Sequence, residues 1–110
     1  MKKISFSHRG KKVSLNCREC GFFSFGLMFR SRKTAPCVFE FDAPTDFKIS
    51  SLFVPFPFIA VWIDDNGRVM EKRIVKPFTL SVKSKKPYYT LVEIPLNKIN
   101  SKIINSLVDD

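Results

Sequence analysis

The sequence predicts a mainly β domain, a small closed barrel or two-sheet sandwich with one packed helix and a short C-terminal helix. Three observations predict it. Several short segments alternate apolar and polar residues at the two-residue period of a half-buried strand. Turns bearing Gly, Pro, Asn or Asp separate these segments at short intervals. The apolar content is 45%, with 12 Phe in 110 residues, enough to fill a single core without disulfide or metal staples.

Ile4-Ser5-Phe6 and Val13-Ser14-Leu15 each alternate, and His8-Arg9-Gly10 between them supplies a turn, so residues 3–15 read as a β-hairpin. Asn16 then caps a helix predicted from Cys17 to Arg30. Gly21 and Gly26 each cost that helix roughly 1 kcal/mol against Ala, which implies close packing on a neighbour. Ser31 to Pro36 is a basic loop. From Cys37 to Asp42 the chain alternates again, with Cys37, Phe39 and Phe41 on one face and Val38, Glu40 and Asp42 on the other. Ala43 to Asp46 turns the chain.

Ala60 to Ile63 is apolar on both faces and reads as a central strand, while Pro55 and Pro57 confine the preceding stretch to an edge, bulge or crossing segment. Asp64-Asp65-Asn66-Gly67 is a hairpin turn of type I′ character. Val69 to Val75 returns as a strand, Leu80 to Val82 is a weaker one, and Tyr88 to Ile94 is β-branched and aromatic throughout. After Pro95, the positions Leu96, Ile99, Ile103 and Leu107 follow the spacing of an amphipathic helix. No linker or repeat interrupts residues 1–110, which form one domain.

Lys and Arg outnumber Asp and Glu by 19 to 10, and the net charge of +9 attracts polyanions. The charge is dispersed over Lys2-Lys3, Arg9 to Lys12, Arg30 to Lys33, Lys72-Arg73 and Lys83 to Lys86. Partial convergence of Arg9, Lys11, Lys12, Arg30, Arg32, Lys33, Lys72 and Arg73 on one face is expected. Three cysteines, an odd number, fit free buried thiols in a reducing cytosol better than a disulfide framework. No run of roughly 18 apolar residues is present to span a bilayer, and no apolar segment follows Met1-Lys2-Lys3 as a signal peptide requires. A cytoplasmic location without a cofactor is the expectation.

Four segments, taken together and in order, resemble one family. Phe25-Gly26-Leu27-Met28-Phe29-Arg30 is similar to the GLMfR signature of the domain-of-unknown-function 192 family. Leu52 to Pro57, then Val61-Trp62-Ile63-Asp64 and Asn66-Gly67-Arg68-Val69, resemble a run of its archaeal-type branch. Lys76-Pro77-Phe78 and Val92-Glu93-Ile94-Pro95 resemble its later pieces. The resemblance covers residues 12–110 and implies a compact β-barrel or sandwich with one helix carrying the GLM segment. It implies no biochemical activity. The chain departs from the family at Pro36 to Phe39, at Ile59, at Ser50 or Ser51, and at Asn97, so polar positions are lost while apolar ones and Arg30 are kept.

Candidate sites follow from residue chemistry. Cys17 and Cys20, with His8 and Cys37, are a weak alternative as metal ligands, because proper ligand-pair spacing is absent and packing accounts for the cysteines. Glu40 with Asp42, and Asp64 with Asp65, read as solvated faces rather than as acid–base pairs. Phe22 to Phe29 and Phe53 to Phe58 read as core rather than base-stacking platforms. The anion- or ligand-binding candidates are Arg30, Arg32, Lys33, Arg9, Lys72 and Arg73, with Arg30 also suited to close a helix C-terminus. No catalytic residue is assigned. The leading expectation is a non-enzymatic binding or accessory module. A nucleic-acid-binding protein using dispersed basic loops is the alternative, and a thiol or metal site on Cys17, Cys20 and His8 is the third.

Overall fold

In the computed structural model, which describes residues 1–20, 33–49, 54–79 and 81–108, seven elements form. They are β1 (Lys2–His8), β2 (Lys11–Glu19), β3 (Cys37–Thr45), β4 (Phe58–Ile63), β5 (Val69–Val75), β6 (Tyr88–Pro95) and α1 (Ser101–Val108). The strands make one sheet in the order β1-β2-β3-β6-β4-β5, curled into a half-barrel. The outer strands meet at a seam: Ser7 bridges Arg68, and the Ser7 N–H donates to the Gly67 carbonyl at 2.7 Å. The fold is mainly β, as the alternating segments predict.

Alternation along the strands divides the core in two. One face gathers Phe6, Leu15, Val38, Val61, Val92 and their neighbours from β1, β2, β3, β4 and β6, and Leu107 of α1 packs against it. The other face carries Phe58, Trp62, Tyr88 and Leu91, covered by Ile49, Val54, Phe56 and Val82 from the connecting segments. Strand β4 has every residue buried because it lies between β6 and β5 with a core on each side. Phe56 and Phe58 are core, as their density predicts, and Trp62 is fully buried. Phe22 to Phe29 lie outside the described residues.

Several expectations need correction. Asn16 does not cap a helix, and Cys17 does not begin one. The alternation of Val13, Leu15 and Cys17 with exposed Ser14 and Asn16 carries β2 on to Glu19, and two-residue periodicity outweighs the cap signal. The rest of that predicted helix, with Gly21, Gly26 and Arg30, lies outside the described residues. Strand β3 runs past the expected turn at Pro44, because a register shift between Glu40 and Thr45 absorbs the missing N–H. At the Asp64–Gly67 turn only Gly67 has positive φ, at 76°. The Asp64 carboxylate instead accepts from the Asn66 and Arg68 N–H groups at 2.9 Å each, an Asx turn closed by a left-handed Gly in place of type I′. Positive φ at two successive residues occurs instead at Arg9 (54°) and Gly10 (78°), the tip of the β1–β2 hairpin. Val82 contributes an isolated bridge to Ile49 rather than a strand. The last helix starts at Ser101, after Asn97 Oδ1 accepts from the Asn100 N–H at 2.8 Å, so Ile99 is left 74% exposed, off the apolar stripe.

Candidate functional site

Two arrangements of polar residues emerge from this topology, one buried and one exposed. The buried one follows from register. Arg18 on β2 pairs with Cys37 on β3, Cys37 pairs with Glu93 on β6, Glu93 with Ala60 on β4, and Ala60 with Arg73 on β5. Cross-strand partners project from the same face, so these five residues form a row across the sheet. Glu93 is 5% exposed in a strand that is otherwise apolar at its core positions. Burial pushes its carboxyl up to about 8, against the opposing pull of the Arg18 cation. At neutral pH Glu93 therefore keeps its proton.

Cys37 also forms a disulfide with Cys20, the two Cα atoms lying 6.2 Å apart. This corrects the expectation of three free thiols. The parallel pairing of Arg18 with Cys37 and Glu19 with Val38, extended by the Cys20 N–H to the Val38 carbonyl at 2.8 Å, sets the two cysteines side by side. Sequence spacing gives no hint of that pairing. Cys17, by contrast, is free and buried on the other face of the sheet, and burial pushes its thiol up to about 12. Cys17, Cys20 and His8 consequently do not converge on a ligand site. Beyond Ala60, the Arg73 guanidinium lies 5.6 Å from the centre of the Trp62 ring and pairs with Glu71. The indole Nε1 of Trp62 is buried with no hydrogen-bond partner among the described residues.

The exposed arrangement lies at the seam. Ser7 pairs with Lys12 on one side and bridges Arg68 on the other, so Lys12, Ser7 and Arg68 form one row over the join. Arg9 and Lys11 sit beside it at the hairpin tip, and all four cations are exposed. Beneath them the Lys72 ammonium lies 3.3 Å from His8 Nε2 and donates to the Leu107 carbonyl in the last turn of α1, where a cation complements the helix dipole. Of the sequence candidates, Arg9 lies at this hairpin tip, whereas Lys72 lies with His8 on the α1 face of the sheet, the face from which Lys11 also projects, opposite to Lys12 and Arg68. Arg73, although next to Lys72 in sequence, projects to the opposite face because strand neighbours alternate. Lys33 joins Asn97, Lys98 and Ile99 towards the Pro95 end of β6. Arg30 and Arg32 lie outside the described residues. Glu40 and Asp42 are exposed, Glu40 pairing with Lys2, which accords with a solvated face.

Sequence reasoning missed Glu93, Arg18 and Arg68. A signal for Glu93 exists in retrospect: it is the one acidic residue inside an otherwise apolar run, Leu91 to Pro95. Nothing in the sequence singles out Arg18 or Arg68, whose positions depend on strand order.

Among the described residues no helix is long and apolar enough to cross a membrane. No protein-family model matches the chain, nor does any curated protein. Two solved structures share its fold. One is a protein of unknown function from Novosphingobium aromaticivorans DSM 12444, with TM-score 0.74 and 14% identity over 92% of this chain and 76% of that one. The other is described as a "putative transcription regulator" from Sinorhizobium meliloti 1021, with TM-score 0.72 and 17% identity over 90% of this chain and 81% of that one. At these identities the likeness establishes the shared β architecture of the three chains and nothing finer.

Proposed function

We propose that this chain is a small non-enzymatic binding module of the cytoplasm whose ligand is a polyanion, nucleic acid being the class that fits best. One observation carries the reading: closure of the half-barrel brings Lys12 of the second strand and Arg68 beside the fifth onto either side of Ser7, with Arg9 at the adjacent hairpin tip. Lys12 and Arg68 come into one row only because the β1 edge meets the chain entering β5, and the result is a short exposed row suited to successive phosphates. The description of one structural neighbour as a "putative transcription regulator" is in keeping with nucleic acid as the polyanion. Membership of the domain-of-unknown-function 192 family is part of the same proposal, resting on the four ordered segments.

The test is fluorescence anisotropy of the full chain with generic single-stranded RNA and duplex DNA across a salt series. The expected result is binding that weakens linearly in log affinity against log salt, with a slope of roughly −0.9 per phosphate neutralised on duplex DNA. Reversing Lys12 and Arg68 together to Glu flattens that slope, whereas Lys98→Glu, at the far end of the sheet, leaves most of it. Absence of binding near physiological salt, or binding indifferent to salt, overturns the reading.

A further inference from the structure

We propose that Cys20–Cys37 is a reversible redox couple, opened at Cys20 by a dithiol reductant while the neighbouring Glu93 carboxyl passes a proton to the departing Cys37 sulfur. The inference is independent of the polyanion reading and rests on the other face of the sheet.

The two sulfurs are not equivalent. Cys37 is completely buried within the sheet, while Cys20 lies just beyond the end of β2 and retains 8% exposure. An incoming thiolate therefore meets Cys20. The sulfur expelled is that of Cys37, and a thiolate released into a fully buried position is strongly disfavoured unless it is protonated or neutralised at once. The row supplies a group for this on each side. Glu93 is the cross-strand partner of Cys37 on β6, and Arg18 its partner on β2, all three projecting from one face. Burial holds the Glu93 proton in place through neutral pH, so the carboxyl is a donor when the bond opens. Once it has given that proton, the carboxylate is met by Arg18. A buried acid in a core strand otherwise lacks a structural reason: an apolar residue at that position would avoid the desolvation cost.

The step balances as follows. One reductant thiolate attacks Cys20 Sγ, forming a mixed disulfide and breaking the Cys20–Cys37 bond; the bonding pair passes to Cys37 Sγ, which takes the Glu93 proton. The second reductant thiolate then attacks the reductant sulfur of the mixed disulfide, closing the reductant's own disulfide and expelling Cys20 as a thiolate that is protonated from water. Glu93 recovers its proton from water. The dithiol is oxidised by two electrons and the protein disulfide is reduced by two. Cys17 takes no part, being on the opposite face of the sheet. Among the described residues, the other ionisable groups on the Glu93 face include Tyr88 on its own strand, whose hydroxyl donates to the Phe47 carbonyl at 2.7 Å and which feels the Asp46 charge, and Arg73 beyond Ala60, which pairs with Glu71.

Reduction of the folded full-length chain by dithiothreitol, quenched by alkylation and counted by mass spectrometry, tests this. With the rate divided by the reductant's thiolate concentration, the wild-type constant is expected to be level below pH 7 and to fall through pH 8 as Glu93 loses its proton. Glu93→Gln is expected to lower the pH 7 value at least tenfold and to erase the fall. Should Glu93→Gln not fold, the wild-type profile alone decides. A normalised constant that is flat from pH 6 to 9, a Glu93→Gln rate equal to wild type, or reduction that proceeds only at the rate of global unfolding overturns the proposal.

Discussion

Glu93 and Lys12 both bear ionisable side chains on strands of a single sheet, yet their surroundings give them opposite physics. Glu93 sits in a row flanked by apolar core, and desolvation outweighs the attraction of Arg18, so its proton stays on. Lys12 sits in an exposed row with Arg68 over the seam, where water screens each charge. The buried group acts on the protein itself, through pH and through the disulfide beside it. The exposed groups act on whatever approaches, and matter little to the fold. Charge at a residue thus says nothing about its role until the sheet order decides which side of the core it occupies.

The largest expected effect separates the two regions by pH. Glu93 titrates near pH 8 when folded and near its ordinary value of 4.5 when unfolded. Between those values the unfolded chain has lost a proton that the folded chain keeps, so stability falls as pH rises through this window and levels off above it. The slope is on the order of 1 kcal/mol per pH unit, several kcal/mol across the window. Urea denaturation at intervals from pH 5 to 9 should show this decline, and Glu93→Gln should abolish it. A wild-type stability that is constant from pH 5 to 8 would mean that the row is open to water, and the contrast with the seam would collapse.

Next in size is the disulfide. Cys20 and Cys37 are 17 residues apart, and a cross-link of that length stabilises by roughly 3 kcal/mol through the entropy removed from the unfolded chain. Replacing both cysteines by Ala should therefore lower the melting temperature by roughly 10 °C or more, followed by circular dichroism at 220 nm. A loss of only a degree or two would show that β2 and β3 are held together without the cross-link.

How much of this was legible in the sequence follows the range of the interactions. Strands β1, β4, β5 and β6 were legible because each is a local pattern: alternation, an apolar run, or turn residues at its ends. The mainly β class follows from those patterns alone. Local signals end strand β2 too early because Asn16 offers a helix cap, whereas the pairing of Cys17 with Lys2 that extends the strand is a tertiary fact. The pairing of β2 with β3 is parallel and short, two residues only, and no local signal announces it. Both candidate sites depend on such long-range placement. The disulfide, the Arg18–Glu93 row and the Lys12–Arg68 row each join residues from strands distant in sequence. Lys12 is visible as part of a charge run, whereas Arg68, which joins it across Ser7, is hidden inside a turn.

The smallest effect probes whether the seam depends on geometry or on charge count. Gly67 adopts φ +76°, and a Cβ added there meets nothing within 4 Å, so Gly67→Ala is strained by backbone conformation alone, by about 1 kcal/mol. Its carbonyl accepts the Ser7 N–H that closes the seam, and Arg68 follows it directly. Relief of the strain moves that carbonyl away from Ser7 and turns Arg68 out of its row with Lys12. Net charge is unchanged by the substitution. If polyanion affinity came from overall charge, the salt slope measured by anisotropy would stay as in the wild type. Because the cations converge only where the two edges touch, the slope is instead expected to fall by close to one phosphate contact, alongside a stability loss of about 1 kcal/mol in urea. An unchanged slope with the expected stability loss would assign binding to charge spread over the whole surface rather than to the join between β1 and β5.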